Sequence, residues 1–147
     1  MTLFIQFVAA AVGTVAFALI FDVPSKYYAL CALIGGAGFW LIELLMGAGL
    51  SQTEATFIGT MFVALASRIC AVWRKCPVTV FLIAGIIPLV PGGRVYWMAY
   101  YFVVQDTAQA FENGFLAIRV AVAIVLGIVL VLEIPNRLFH RARGETH

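Results

Sequence analysis

The residues with the most chemical potential lie together, in Pro88-Leu89-Val90-Pro91-Gly92-Gly93-Arg94, inside a long apolar stretch. Proline removes a backbone donor and clashes with the preceding turn, and glycine is costly in a helix interior. A helix that meets this segment must break. In hydrocarbon the freed backbone groups need partners, so broken backbone survives only inside protein or beside a water-filled cavity. Interrupted helices of this kind build the binding sites of many secondary transporters. A helix restarting at Arg94 would offer free N–H groups and a positive dipole end to a carboxylate. Glycine admits a ligand close to the backbone, and Arg94 could add a bidentate contact. Pro88, Pro91, Gly92, Gly93 and Arg94 are therefore candidate substrate-binding residues, expected near mid-membrane. The competing reading is a kink needed for packing, with Arg94 reaching water along a cavity wall.

Other chemistry-bearing residues follow. Tyr96 and Tyr100 are spaced to share a helix face with Gly93 and could line a pathway with hydroxyls; the alternative is an interfacial aromatic belt. Glu43 lies inside an apolar span, where an acidic group is by default a functional hypothesis. A desolvated carboxyl can carry a proton, so Glu43 is a proton-coupling candidate. The blander role is as a partner for Arg94 or Arg119, or as a group reaching the outer surface. Asp106 is the second proton-coupling candidate, in what reads with Glu112 as a solvated outer loop or exit vestibule. Arg68 is spaced to snorkel toward the face that holds Arg74, and Arg119 to do so on the other side.

The elements that must position these residues are apolar helices. The 147-residue chain is 64% hydrophobic and 11% charged, with a mean hydropathy of +1.06; soluble domains sit near 45–50% apolar and about 25% charged. This is the composition of an integral membrane protein. Its length admits about four or five spans of roughly 20 residues and leaves no stretch for a folded soluble domain, so residues 1–147 read as one transmembrane domain. Span one is expected at about Leu3–Phe21, ended by Pro24, with Ser25 able to cap the next helix. Span two runs about Tyr28–Met46, with Gly35, Gly36 and Gly38 as close-packing positions. Ser51-Gln52-Thr53-Glu54 fits a capping box that opens span three, about Ala55–Trp73. Arg74-Lys75-Cys76-Pro77 closes it. Val78–Val104 is one interrupted span, Gln105–Gly114 a polar connection, and Phe115–Leu132 the last span. The fold class is thus all-α, a polytopic helical bundle of about five spans, the fourth interrupted at Pro88–Gly93.

Basic residues favour the cytoplasmic side. Arg74-Lys75 and a short basic tail over 134–147, with Arg137, His140, Arg141 and Arg143, lie on one side in a five-span layout, which puts the N-terminus outside and the C-terminus in the cytoplasm. A re-entrant hairpin at Val78–Val104 would put the tail outside instead. The residues before Val8 carry no Lys or Arg, so the first segment reads as a retained span and not a signal peptide. Cys31, Cys70 and Cys76 form no ligand pattern with His140 and His147, and no metal or cofactor is expected.

Phe17–Pro24 (Phe-Ala-Leu-Ile-Phe-Asp-Val-Pro), Cys31–Gly36 (Cys-Ala-Leu-Ile-Gly-Gly) and Ile86–Gly93 (Ile-Ile-Pro-Leu-Val-Pro-Gly-Gly) together resemble the threonine/serine exporter family, specifically its C-terminal half. The last stretch is the most specific. The resemblance implies a secondary exporter of small amino acids, or of related small carboxylates such as dicarboxylates. It further implies that this half occurs as a small subunit paired with a larger polytopic subunit. About ten spans would complete the transporter, as two oppositely oriented halves in the bacterial inner membrane. The expected partners are that larger subunit, the lipid bilayer and a small carboxylate-bearing metabolite, not nucleic acid; homo-oligomerisation stays open. The rival function is a non-transporting scaffold or regulatory subunit. An intramembrane enzyme is disfavoured, because no histidine lies in any span and Glu43 and Asp106 belong to distant segments.

Overall fold

The computed structural model describes residues 2–134; the basic tail beyond them lies outside the described residues. The chain is an all-α bundle. Helix α1 spans Thr2–Ile20, α2 Tyr28–Gly47, α3 Gln52–Arg74, α4 Thr79–Ile86, α5 Gly92–Val103 and α6 Thr107–Leu132. Short 3₁₀ turns, Ser25–Tyr27 and Ile87–Leu89, precede α2 and follow α4. Each apolar segment is helical because a backbone in hydrocarbon must satisfy its own hydrogen bonds.

Three helices are long and apolar enough to cross a bilayer: Ser25–Gly47, Gln52–Arg74 and Thr107–Leu132. Thr79–Leu89 and Gly92–Val103 meet at a 44° bend and qualify together as a fourth, broken span. The apolar helix Phe4–Ile20 within α1 is shorter, at the lower edge of the roughly 17–25 residues a span needs.

Helix α2 packs on α1, α3 and α4, and α3 packs on α4 and α6. The core between them holds Cys31, Ile34, Val63 and Phe81, all buried. Glycines set the closest approaches. A Cβ on Gly35 would collide with Thr14 of α1, and one on Gly38 with Val63 of α3. The small-residue face of α2 is therefore a packing seam on both sides. Helix α5 differs: it packs on α6 and buries none of its residues.

Several local expectations need correction. Ser25 does not cap α2; Tyr27 occupies that position without a side-chain bond, and the Tyr27 N–H turns back onto Pro24 O at 2.9 Å. The Gln105–Gly114 connection is mostly helix. Only residues 104–106 turn, with Gln105 at φ 61°, and Asp106 accepts from Gln109 N–H at 3.2 Å to start α6 eight residues early. Polar residues in a first helical turn read as loop, yet a capping carboxylate makes them a helix start. The Ser51/Glu54 capping box forms as expected, with Ser51 N–H donating to Glu54 Oε2 at 2.9 Å.

Candidate functional site

The Pro88–Arg94 segment breaks the helix in two steps. The 3₁₀ turn Ile87–Leu89 ends α4, and Val90 then adopts extended backbone at φ −62°, ψ 132°. The restart comes earlier than Arg94. Pro91 takes the N-cap place, and Gly92 and Gly93 form the first turn of α5. Proline's fixed φ suits a helix entry, so the restart needs no residue after the glycines. The Arg94 and Val95 N–H groups both turn back onto Pro91 O at 3.1 Å, and the Gly92 N–H onto Val90 O at 2.7 Å. Neither Gly92 nor Gly93 has a positive φ, and a Cβ added at either would meet nothing within 4 Å. Neither backbone strain nor packing inside this chain requires glycine here.

Beside the break lies a cavity of about 320 Å³. That is near the lower end of the roughly 300–1,000 Å³ common for small-molecule sites. Pro88, Pro91, Gly93 and Arg94 line one wall; Glu43 with Phe39 and Met46 of α2, and Gln52 with Thr56 of α3, line the other. Trp97 of α5 closes a side. Glu43 belongs to the end of α2 and Gln52 to the start of α3, so the cavity sits toward the α2–α3 turn rather than halfway along those helices.

Arg94 is held on two sides by neutral groups. Its Nε donates to Gln52 Oε1 at 3.2 Å and its Nη1 to Asn113 Oδ1 at 3.3 Å. Asn113 is buried, and its own Nδ2 donates to Gln109 O at 2.8 Å. The amide oxygens orient the guanidinium but do not neutralise it. Glu43 is approached by neither Arg94 nor Arg119. Its neighbour is Gln6 of α1, whose Nε2 donates to Glu43 Oε2 at 3.5 Å.

The structure thus gathers Pro88, Pro91, Gly93, Arg94 and Glu43 around one space. Gly92 adjoins it without lining it. Tyr96 and Tyr100 are exposed and do not reach the cavity. They pack edge-on against Trp97 and Tyr101 in an aromatic cluster, ring centroids 5.5–5.8 Å apart. Asp106 is exposed at the α5–α6 turn, where it caps α6. Arg68 reaches the carbonyl end of α6. It is buried, and it donates to Val131 O at 2.5 Å, to Leu132 O at 3.3 Å and to Ile134 O. Carbonyls at a helix C-terminus carry the negative end of the helix dipole and favour a cation. Sequence reasoning missed Gln52, Thr56, Trp97 and Asn113. Gln52 was hidden inside the capping box, and Asn113 inside a segment read as loop.

No solved structure matches this chain. A sequence-family model described as "Threonine/Serine exporter, ThrE" matches residues 6–134, which takes in most of α1, all of α2 to α6 and the whole Pro88–Arg94 break. Apolar helices, a span broken beside a charged cavity and that match lead to one assignment: the chain belongs to the threonine/serine exporter family.

Proposed function

We propose that this chain is the small membrane subunit of a secondary exporter. It would work with a larger polytopic subunit to move threonine, serine or a related small carboxylate out of the cell. On this reading the chain resides in the bacterial inner membrane as five spans, counting α1, with its N-terminus outside and its C-terminus in the cytoplasm. The charge bias of the loops supports that orientation.

One observation carries the proposal. Arg94 faces a cavity at a broken helix and is held there by Gln52 and Asn113, with no carboxylate neutralising it among the described residues. A guanidinium fixed by amides at a low-dielectric wall favours an anion with fork geometry. The substrate carboxylate would dock on Arg94, and the open space at Gly93 would let it approach the start of α5. The proton gradient would drive export. Of the two acidic candidates, Glu43 lines the cavity, so we assign coupling to it and not to Asp106.

The test is transport of labelled threonine and labelled succinate in vesicles holding both subunits. Arg94→Gln and Gly93→Leu should abolish export while both subunits stay at normal abundance. Unchanged export in both variants would remove the site from this break. If the partner's own site is disabled and export persists, transport resides in this chain; loss of all export would favour a scaffold role.

A further inference from the structure

We infer that Glu43 is the specificity pole of this cavity: its carboxylate holds the ammonium of the departing amino acid, and the entering proton competes for the same oxygens. The inference rests on the cavity being the substrate site. Among the described residues, the charged groups lining the cavity are one cation and one anion, Arg94 and Glu43. They do not pair with each other. Each is held by neutral amides instead, Arg94 by Gln52 and Asn113, and Glu43 by Gln6. Amides fix the direction of a charge without cancelling it. Two opposite charges held apart across a small, partly apolar space are both satisfied by a ligand that is itself split into plus and minus. A zwitterion fits, carboxylate on Arg94 and ammonium on Glu43. A dicarboxylate would bring a second negative group against Glu43, and juxtaposed like charges disfavour that ligand.

The surroundings of Glu43 hold few rival charges. Helix α1 contributes Gln6 and carries no titratable side chain, and neither does α4. Helix α3 contributes Gln52 and Thr56 to the cavity. Its Glu54 is engaged with Ser51, and its Arg68, Cys70 and Arg74 belong to its far end. Lys26 and Tyr27 lie at the opposite end of α2. Across the cavity α5 contributes Arg94, and α6 reaches Arg94 through Asn113. Among the described residues, the charge that Glu43 faces is therefore Arg94. An anionic Glu43 binds an ammonium; a protonated one cannot. After release outside, the carboxylate takes a proton, carries it across as a neutral group, and yields it to the cytoplasm before the next ammonium binds. One proton enters for each amino acid that leaves. The two occupants exclude each other, and that exclusion is the coupling.

The experiment compares wild type, Glu43→Gln, Glu43→Asp, Gln6→Leu and Arg94→Gln in vesicles holding both subunits. Labelled threonine and labelled succinate are followed with and without an imposed pH gradient. Glu43→Gln should cut the threonine-over-succinate preference at least tenfold and make the remaining flux indifferent to the gradient. Glu43→Asp should keep the gradient response. Gln6→Leu, which leaves the carboxylate in place but unties it, should lower the preference about threefold and serves as the test if Glu43→Gln fails to accumulate. Unchanged preference and unchanged gradient response in Glu43→Gln, or in Gln6→Leu where that variant stands in, overturn the inference. Arg94→Gln separates the two readings. Loss of both substrates there keeps the cavity as the site even if Glu43 fails, whereas full activity there removes the site itself.

Discussion

Arg94 donates to Gln52 Oε1 at 3.2 Å, which ties the first turn of α5 to the first turn of α3. Helix α5 buries none of its own residues, so its position depends on its packing against α6 and on polar ties of this kind. The contact therefore both aims the guanidinium and steadies the helix after the break. Replacing Gln52 by Leu should leave the charge but loosen its aim. Threonine affinity should fall about 5–10-fold, corresponding to about 1–1.5 kcal/mol, because the contact acts on the substrate only through the aim of Arg94. Gln52→Glu should do more harm, because a carboxylate at that position would pair with Arg94 and compete with the substrate. Binding titrations of the purified two-subunit complex would check both. A Glu variant that binds as well as wild type contradicts the carboxylate-docking role of Arg94.

Arg94 itself distinguishes charge from shape. Arg94→Lys keeps the positive charge and loses the planar fork. Its export rate should fall to an intermediate level, while Arg94→Gln should lose about 10–100-fold in affinity, corresponding to about 1.5–3 kcal/mol for a charge-assisted contact. Equal activity of Lys and Arg at this position would mean that a point charge suffices and the bidentate geometry is wrong.

Two glycines of similar appearance in the sequence should respond in opposite ways. Gly93 faces open space, so Gly93→Ala should leave the bundle folded and act, if at all, on transport. Gly38 lies against Val63, a β-branched side chain with no exposed surface. Gly38→Ala must push α2 and α3 apart and should cost about 1–3 kcal/mol. Thermal unfolding in detergent should separate them, with Gly93→Ala at the wild-type Tm and Gly38→Ala well below it. Matching Tm values would show that the α2–α3 seam is looser than the close approach implies.

Asp106 offers a clean division between capping and proton transfer. Its carboxylate accepts from Gln109 N–H at 3.2 Å. Asparagine caps a helix about as well as aspartate, whereas alanine does not. Asp106→Asn should therefore retain both Tm and proton-driven export, and Asp106→Ala should lower Tm by a few degrees. An Asn variant that folds normally but loses its response to the pH gradient would restore Asp106 as a coupling residue.

The fold was legible because hydrophobic runs of span length, bounded by Pro, Ser and paired basic residues, leave the backbone little alternative to helix. The starts of α2 and α3 fell within a few residues of expectation, and the break was visible from Pro88 and Pro91 alone. The groups that hold Glu43 and Arg94 were not legible. Gln6, Gln52 and Asn113 come from three different helices and meet the charged pair only through tertiary packing. Neutral amides carry no local signature, whereas a charge inside an apolar run does. That is why Glu43 and Arg94 were singled out and their holders were not. Tyr96 and Tyr100 fell outside the cavity because helical spacing fixes which residues share a face, but not which face turns inward.

Arg68 shows how a charge inside a span can be structural. Buried on α3, it reaches the carbonyl end of α6 and serves Val131, Leu132 and Ile134. These carbonyls lie at the helix end, where Val131 O also accepts from the Ile134 N–H at 3.3 Å, and the guanidinium adds donors that the last turn lacks. Arg68→Leu removes these donors and leaves acceptor capacity at the helix end unmet, at about 1–3 kcal/mol for an unsatisfied buried group. The expected outcome is lower abundance in the membrane and a lower Tm, with threonine affinity unchanged in the protein that does fold. Arg68→Lys should recover part of the Tm, since one ammonium can serve fewer of the three carbonyls than a guanidinium with donors on two nitrogens. A large loss of affinity at normal Tm would contradict this and would place Arg68 on the substrate path, because a residue that acts only by closing α6 has no means of altering binding in a folded molecule.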